Sequence, residues 1–227
     1  MADLFGVDVS YAQGEIDWDT FYGSKDFVIL RAGYGQGNID AQAVRNADAC
    51  IRLGIPFGLY WFSYAYTTSM ASAEGQYAAA FAATHSPTMP IFWDFEYDSE
   101  RVAKNAGVTV DQALFLQMLE EFCSAVETEG YQAGCYYNPD YDYRFGITNY
   151  LNNFPHRQKW IAKWSTIPPA DFDVWQYTVG AAGTVPGIST QIDLDMITDS
   201  PTPPTPPGPG PGPDSRKLPI WFYLKKF

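Results

Sequence analysis

Two carboxylates, Asp94 and Glu96, stand two residues apart at the end of an apolar segment that begins after Pro90. In an extended strand this spacing points both side chains to the same face. Two acids on one face repel each other, so a protein that holds them together usually keeps one protonated and the other ionised. General acid–base chemistry needs such a division, and the spacing therefore indicates a candidate catalytic pair.

The alternative is that this pair lies on a solvated strand edge, where alternating polar residues are ordinary. The flanking residues argue against it, because Phe92, Trp93 and Phe95 make the segment largely apolar. Such strands tend to lie in the interior of α/β folds. We therefore expect a buried strand that ends in two acids.

The rest of the chain shows short apolar segments separated by turns or helical stretches, which is typical of an α/β barrel or a layered sheet. Eight strands are predicted, at residues 5–9, 27–32, 56–62, 90–95, 132–137, 159–164, 173–177 and 191–197. Helices are predicted at residues 41–53, 70–84 and 110–128. Thr109 and Gln112 resemble a capping box for the third helix. The later half has little room for helices, so the predicted barrel is irregular there.

Polar and aromatic side chains stand at or near the ends of these strands. They are Asp8, Ser10, Arg31, Tyr60, Ser63, Asp94, Glu96, Tyr136, Asn138, Trp164, Gln176, Asp193 and Asp195. Barrel active sites lie at the carboxyl ends of the strands, so these side chains would converge in one pocket. Acids beside aromatics suit a sugar polymer, whose ring faces stack on Trp and Tyr. For any single aromatic, simple packing at the barrel rim is the alternative.

Composition and charge narrow the possible partners. A chain of 227 residues with 46% hydrophobic and 17% aromatic content can bury a full core, which fits one domain plus an appendage. Four basic residues and one acidic residue follow position 200, so residues 1–200 carry a charge of −15 against −12 for the whole chain. Such a surface repels phosphate backbones, which argues against nucleic acid and against adhesion of the body to anionic membranes or wall polymers.

Cysteine and histidine usage points away from several other chemistries. Cys50, Cys123 and Cys135 are odd in number and widely spaced, so neither a disulfide framework nor a zinc site is supported and buried free thiols are expected. His85 and His156 have no Cys or His neighbour at ligand spacing, which argues against a histidine-centred mechanism. We expect no metal and no cofactor.

The chain divides into a body at residues 1–200, a linker at 201–213 and a tail at 214–227. Eight of the thirteen linker residues are proline and three are glycine, so the linker should be a partly extended spacer. The cationic, aromatic residues 216–227 predict a membrane or wall contact, with an inert terminus as the alternative. No signal peptide and no run of about 18 apolar residues is present, so synthesis in the cytoplasm is expected.

Seven motifs, in order across residues 3–198, are similar to those of glycoside hydrolase family 25, the muramidases of the phage-endolysin and bacterial autolysin type. The motifs are Gly6-Val7-Asp8-Val9-Ser10, Phe57-Gly58-Leu59-Tyr60, Asp94-Phe95-Glu96, Gly134-Cys135-Tyr136-Tyr137, Trp160-Ile161-Ala162, Trp175-Gln176-Tyr177 and Ile192-Asp193-Leu194. The resemblance implies an irregular TIM-like (β/α) barrel of the β5α3 type. It also implies hydrolysis of the β-1,4 bond between N-acetylmuramic acid and N-acetylglucosamine in peptidoglycan.

The resemblance assigns roles by motif. Glu96 resembles the general acid that protonates the leaving oxygen, Asp94 resembles its partner carboxylate, and Asp8 and Asp193 resemble the acids that complete the cluster. The candidates for lining the sugar subsites are Tyr60, Tyr64, Tyr136, Trp164 and Gln176. Two positions depart from the family pattern, since Trp61 stands where many relatives have histidine and Asp195 where asparagine is common.

Glycoside cleavage supports these roles, because it needs one carboxylic acid of raised pKa and a second carboxylate at the sugar ring or its water. The longer side chain of Glu96 makes it the better acid, and neighbouring acids would raise its pKa. The family implies either inversion or substrate assistance, in which Asp94 orients the 2-acetamido group of the sugar. The sequence leaves both routes open.

Three other functions are also compatible with the sequence. A wall-binding module would keep the pocket without catalysis, and a turnover assay separates it. A metal-dependent hydrolase would use Asp8, Asp94, Glu96 and Asp193 as oxygen ligands for Mg²⁺ or Ca²⁺ and would be sensitive to chelators. The third, a membrane-active protein driven by the cationic tail, could coexist with the muramidase function. The expected setting is a monomeric phage or prophage endolysin that acts on the cell wall after release from the cytoplasm, with a bacterial enzyme exported by another route as the alternative.

Overall fold

The computed structural model describes residues 3–198 of the chain. Its strands are β1 (Leu4–Val9), β2 (Phe27–Tyr34), β3 (Asn38–Ile39), β4 (Phe57–Phe62), β5 (Ile91–Asp94), β6 (Ala133–Tyr137), β7 (Gln158–Ala162), β8 (Val174–Gly180) and β9 (Ile192–Ile197). Each of the eight predicted strands overlaps one of these, with ends that differ by three residues or fewer. The short β3 was not predicted.

Eight of the strands close into a barrel, in the order β1-β9-β8-β7-β6-β5-β4-β2, and β2 pairs with β1 to complete the ring. β3 forms a short antiparallel pair with the end of β2. The barrel strands are parallel to their neighbours except β9, which runs antiparallel to both β1 and β8. The predicted irregular barrel is confirmed, and the reversed direction of the last strand is an addition.

The helices are α1 (Trp18–Phe21), α2 (Ala43–Leu53), α3 (Thr68–His85), α4 (Tyr97–Asn105), α5 (Gln112–Thr128), α6 (Pro139–Phe145) and α7 (Ile147–Leu151). The three predicted helices correspond to α2, α3 and α5. Between β6 and β7 the chain forms only the short α6 and α7, and no helix follows β7 within the described part of the chain. The sparse helices of the second half are therefore confirmed, whereas α1, α4, α6 and α7 were not predicted.

The predicted capping box of α5 is wrong. The helix begins later than expected, and Asp111 is its N-cap, with a side-chain oxygen that accepts the backbone N–H of Leu114 at 2.8 Å. Thr109 therefore lies outside the first turn. The side chain of Gln112 instead donates to the carbonyl of Phe145 at 3.1 Å, which ties α5 to the end of α6.

A packed aromatic layer fills the barrel below its carboxyl-terminal mouth. Trp160 of β7 lies at its centre, with ring centroids 5.2 Å from Phe92 and 5.8 Å from Tyr60. Phe27 of β2 is packed into the same layer. Gly6 of β1 is required beside it, because a Cβ at that position would lie 2.4 Å from the Phe27 ring. The barrel is therefore closed from below, and only its mouth is left for polar side chains.

Outside the barrel, a second and larger core lies between the strands and the helices. The three cysteines are buried and free, as predicted. No helix within residues 3–198 is both long and apolar enough to cross a bilayer. The linker at 201–213 and the tail at 214–227, with the expected membrane or wall contact of residues 216–227, lie outside the described residues.

Candidate active site

The four acids expected to form the cluster come from three strands at the barrel mouth. Asp94 ends β5, Glu96 follows it as the N-cap of α4, and Asp8 lies near the end of β1. Asp193 lies opposite Asp8 in the strand register. Because β9 is antiparallel, its first residues reach the same level as the last residues of β1. The structure therefore brings these acids together, with Glu96 facing the charges of both Asp94 and Asp193.

Asp94 and Glu96 share a face even though β5 ends at Asp94. Their neighbours Trp93 and Phe95 are fully buried in the outer core, so the two acids take the alternate, inward direction. Glu96 keeps an extended backbone, with φ −125° and ψ −172°. The alternation predicted from sequence thus continues past the last hydrogen-bonded residue of the strand.

A hydroxyl relay fixes the backbone at this point. The N–H of Glu96 donates to Ser99 Oγ at 3.0 Å, and the Ser99 hydroxyl donates to the Ser63 carbonyl at 2.6 Å. The N–H of Ser63 in turn donates to the Asp94 carbonyl at 2.7 Å. The ends of β4 and β5 are therefore locked to the start of α4, which limits the motion of both acids.

Burial sets the electrostatics of this pair. It raises the pKa of Asp94 well above the usual value, the charge of Glu96 raises it further, and the nearby Arg31 opposes both effects. Burial also raises the pKa of the half-buried Glu96, and the charges of Asp193 and Asp98 raise it further, whereas a hydrogen bond with the Tyr136 hydroxyl opposes them. Oδ1 of Asp94 is buried without a hydrogen-bond partner among the described residues. The pair therefore resists carrying two negative charges at once.

On the opposite wall, Asp8 is held by a chain of hydrogen bonds. Its Oδ2 accepts Gln176 Nε2 at 2.9 Å, and Gln176 Oε1 accepts the Tyr136 hydroxyl at 3.1 Å. Burial, followed by the charges of Asp195 and Asp193, raises the pKa of Asp8 well above the usual value. Gln176 is buried and engaged at both ends of its amide, so the structure places this predicted sugar contact within the hydrogen-bond network.

The predicted aromatic contacts lie at different depths. Trp164 is 65% exposed beyond the end of β7, whereas Tyr60 is only 8% exposed above the aromatic layer. Tyr136 is half-buried between them in depth, with its ring centroid 4.6 Å from that of Trp160. Tyr64 follows β4, and its ring centroid lies 6.3 Å from that of the exposed Tyr34. Three of the four aromatics are therefore accessible to a ligand in the mouth, and Tyr60 offers only a small surface.

Arg31 belongs to the site, although only its position late in a strand was noted from the sequence. Its Nε donates to Asp40 Oδ2 at 2.7 Å, and its guanidinium carbon lies 4.7 Å from the Tyr11 ring centre. Its charge favours the ionised form of Asp94. The signal that could have found it is alternation, since Arg31 continues the inward-facing series of Phe27 and Ile29 along β2.

A second missed residue, Glu74, supports the site from outside the barrel. It is fully buried on α3, where Oε1 accepts the Tyr64 N–H at 2.9 Å and Oε2 accepts Trp93 Nε1 at 3.3 Å. Burial raises the pKa of Glu74 to about 7. The helical spacing of Glu74 with the buried Ala71 and Ala78 was the signal for its burial. Glu74 thus anchors the loop that carries Tyr64.

We expect stability to fall as pH rises from 5 to 8. Buried acids of raised pKa bind protons more tightly in the native state than in the unfolded chain. Their contribution to stability is complete below the unfolded pKa and is lost as the pH rises through the folded pKa. For Glu74, a shift from 4.5 to about 7 corresponds to about 3 kcal/mol. In calorimetry this alone lowers Tm by roughly 6–12 °C between pH 5 and 8.

Glu74→Gln is the matched control for that measurement, since its side chain cannot ionise and its Tm should fall less steeply over the same range. Glu120 has the opposite sign: hydrogen bonds from Arg157 lower its pKa to about 2, so its contribution is lost only as the solution becomes strongly acidic. A Tm that rises from pH 5 to 8 would contradict the raised pKa values.

Two surface cavities within residues 3–198 lie apart from the mouth. Their volumes are 870 and 490 Å³, the first lies between α1 and α2 and the second near Cys50 and His85, and none of the four acids lines either. Within residues 3–198, no group of three or more His, Cys, Asp or Glu side chains is arranged to hold a metal ion. The described arrangement can transfer protons between carboxyl groups and a ligand in an aromatic-lined mouth.

Comparison with known proteins gives an independent result. A sequence model of the family described as "Glycosyl hydrolases family 25" matches residues 7–188. No match was found among curated proteins.

Solved structures share the fold. The modular autolysin LytC from Streptococcus pneumoniae, in complex with a synthetic peptidoglycan ligand, is 21% identical with a TM-score of 0.71, over 86% of this chain and 46% of that one. A bacterial lysozyme from Streptomyces coelicolor is 20% identical with a TM-score of 0.69, over 88% of this chain and 94% of that one. The catalytic domain of an endolysin from a bacteriophage of Listeria monocytogenes is 19% identical with a TM-score of 0.66, over 87% and 94%. The present chain thus spans about half the length of LytC.

Proposed function

Because the chain belongs to glycosyl hydrolase family 25, we propose that this glycoside hydrolase degrades peptidoglycan by cleaving the β-1,4 bond between N-acetylmuramic acid and N-acetylglucosamine. The observation that carries the proposal is the pair of coupled acids at the barrel mouth, Asp94 and Glu96, whose pKa values burial raises. A raised pKa favours the protonated form of a carboxyl group, which a general acid requires.

Glu96 is the proposed general acid. It stands one step further out than Asp94 and is less buried, so its longer side chain reaches a bridging oxygen above the end of β5. A glycan seated over the mouth would remove water from Glu96 and favour its protonated form. At the same time Arg31 favours the charged form of Asp94. Substrate binding would thereby direct the shared proton of the pair toward Glu96.

Asp94 is the proposed partner carboxylate, acting by substrate assistance. Asp94 keeps a small exposed fraction, 5%, and no described residue donates to its Oδ1, so the carboxylate can accept the N–H of a 2-acetamido group. That contact would orient the acetamido oxygen for attack at the sugar carbon and stabilise the positive charge that develops there. Inversion, in which Asp94 activates a water, is the second route. The anomer released first separates the routes, because substrate assistance retains configuration.

The remaining acids and aromatics complete the proposed substrate site. Asp8 and Asp193 add negative charge opposite the pair, which opposes ionisation of Glu96. Accessible rings at Tyr64, Tyr136 and Trp164 offer stacking surfaces for successive sugars. A polymer substrate fits a mouth of this kind, since its strand can lie across the barrel. We further propose that the protein acts on the cell wall as a monomer after release from the cytoplasm, as a phage endolysin would.

The test is digestion of purified peptidoglycan by the wild-type protein. We expect new reducing ends that are N-acetylmuramic acid, identified by mass spectrometry after borohydride reduction. Glu96→Gln, purified in the same way, is the control for contaminating hydrolases and should release at least about 10²-fold fewer new ends in the same time. Reducing N-acetylglucosamine ends would reject the proposed bond, and no new ends at all would leave a non-catalytic wall-binding module as the function.

A further inference from the structure

A fifth acid, Asp195, lies below the four at the mouth and has no role in the mechanism above. It is fully buried on β9 and faces Gly6 of β1 and Gln176 of β8 in the strand register. Asp193, two residues earlier, pairs with Asp8, so Asp195 is the diagonal neighbour of Asp8 on the same inner face. The absence of a side chain at Gly6 leaves room between the two acids.

Each of these two acids accepts a side-chain hydrogen bond at one of its carboxyl oxygens. Trp160 Nε1 donates to Asp195 Oδ1 at 2.8 Å, and Gln176 Nε2 donates to Asp8 Oδ2 at 2.9 Å. Oδ2 of Asp195 is buried and has no donor among the described residues. An orphaned, charged oxygen in such a place is costly. If Asp8 and Asp195 are both ionised, neither can donate a hydrogen bond to this oxygen, because ionised carboxylates only accept hydrogen bonds.

A single proton between the two acids removes the problem. Asp8 and Asp195 are close enough for a side-chain hydrogen bond once one of them is protonated. We propose that Asp195 is a positioning residue that shares one proton with Asp8 and so fixes the direction of Asp8 in the mouth. This inference rests on the proposed function for its catalytic consequence, whereas the shared proton itself does not depend on it.

The consequence reaches Glu96 through the network already described. With Asp8 fixed, Gln176 must present Nε2 to Asp8 and Oε1 to the Tyr136 hydroxyl. The Tyr136 hydroxyl is also a hydrogen-bond partner of Glu96, and a hydrogen bond that it donates to Glu96 lowers the pKa of Glu96. The hydroxyl has only one proton, so donating it to Gln176 leaves an acceptor toward Glu96. An acceptor favours the protonated form of Glu96. The shared proton therefore supports the acid form of Glu96 from the opposite wall.

Other titratable groups also face this pair. Around Asp195 and Asp8 they are Asp193, Lys25, Tyr60, Tyr136 and Tyr177. Asp193 disfavours a second charge on the pair, and Lys25 favours the charged form of Asp195. The tyrosines stay neutral in the relevant range, since burial and the nearby acids raise their pKa. Of the charged groups around the pair, Asp193 therefore favours the shared proton and Lys25 opposes it.

The direct test is isotope-edited infrared spectroscopy of the full chain labelled with ¹³C at the aspartate carboxyl carbons. In wild type at pH 7 we expect the Asp8–Asp195 pair to contribute one protonated carboxyl. In Asp195→Asn the new amide can donate to an ionised Asp8 and still accept the Nε1–H of Trp160. The signal of the protonated carboxyl should therefore be lost. Asp173→Asn is the matched control, since Asp173 is an acid of raised pKa outside the mouth, and it should keep the signal. An unchanged signal in Asp195→Asn would overturn the proposal.

The kinetic test uses the pH profile on soluble peptidoglycan fragments. Wild type should lose two protons on the alkaline side, one from Glu96 and one from the pair, so log(kcat/KM) falls with a limiting slope near two. Asp195→Asn should keep most of its turnover at pH 5 and fall with a slope near one. A slope that stays the same would contradict the coupling. If wild type has no turnover, the proposed function fails, and the infrared result still decides whether the proton is shared.

Discussion

Glu96→Gln is expected to lower kcat on peptidoglycan by about 10²–10⁴-fold, the range that positioned general acids contribute. Glutamine keeps the length and shape of the side chain but cannot deliver a proton to the leaving oxygen. The N–H of residue 96 still donates to Ser99 Oγ, so the start of α4 should keep its position. The loss should therefore appear in turnover rather than in folding.

The measurement is steady-state kinetics together with a binding isotherm on soluble glycan fragments. Affinity should stay near that of wild type, because the rings and amides of the mouth are unchanged. Glu15→Gln is the matched control: it makes the same change of side chain on an exposed residue paired with Arg45. Its turnover should stay close to that of wild type. Near-normal turnover of Glu96→Gln would remove Glu96 from the mechanism.

The parts of this fold that the sequence predicts are those governed by hydrophobic period. Each barrel strand alternates or runs apolar over a few residues, and strands such as β4 and β5 are recognisable for that reason. Direction is a different matter, because an alternating pattern reads the same either way along the chain. The antiparallel direction of β9 could therefore not be predicted from the sequence, although it determines that Asp193 lies at the mouth and Asp195 below it.

The candidate acids were accessible to sequence reasoning because they end recognisable strands. The contacts between side chains were not, since they depend on which strands become neighbours after closure. Gln176 illustrates this: its position on β8 was predicted, whereas its bonds to Asp8 and Tyr136 join residues of three different strands. Glu74 is a second case, because a buried acid on an alanine-rich helix has a function only through the loop it meets.

Asp94→Asn is expected to lower kcat by roughly 10²–10³-fold, the usual cost of losing one group that stabilises developing charge. Asparagine keeps the shape of the side chain but carries no negative charge for the sugar ring. In the substrate-assisted route its Nδ2 would also present a donor where the acetamido N–H needs an acceptor, so affinity should fall as well. Kinetics and binding measured side by side with Glu96→Gln test this difference.

Stability distinguishes this role from a structural one. The pKa of Asp94 is raised well above its usual value by burial, so its ionised form destabilises the native state, and a neutral asparagine removes that cost at alkaline pH. Tm of Asp94→Asn at pH 8 should therefore be equal to or above that of wild type while turnover is largely lost. A buried acid held for packing would behave in the opposite way, with Tm and turnover falling together. A carboxylate that opposes folding and yet stands at the mouth beside Glu96 is what an acid retained for catalysis predicts.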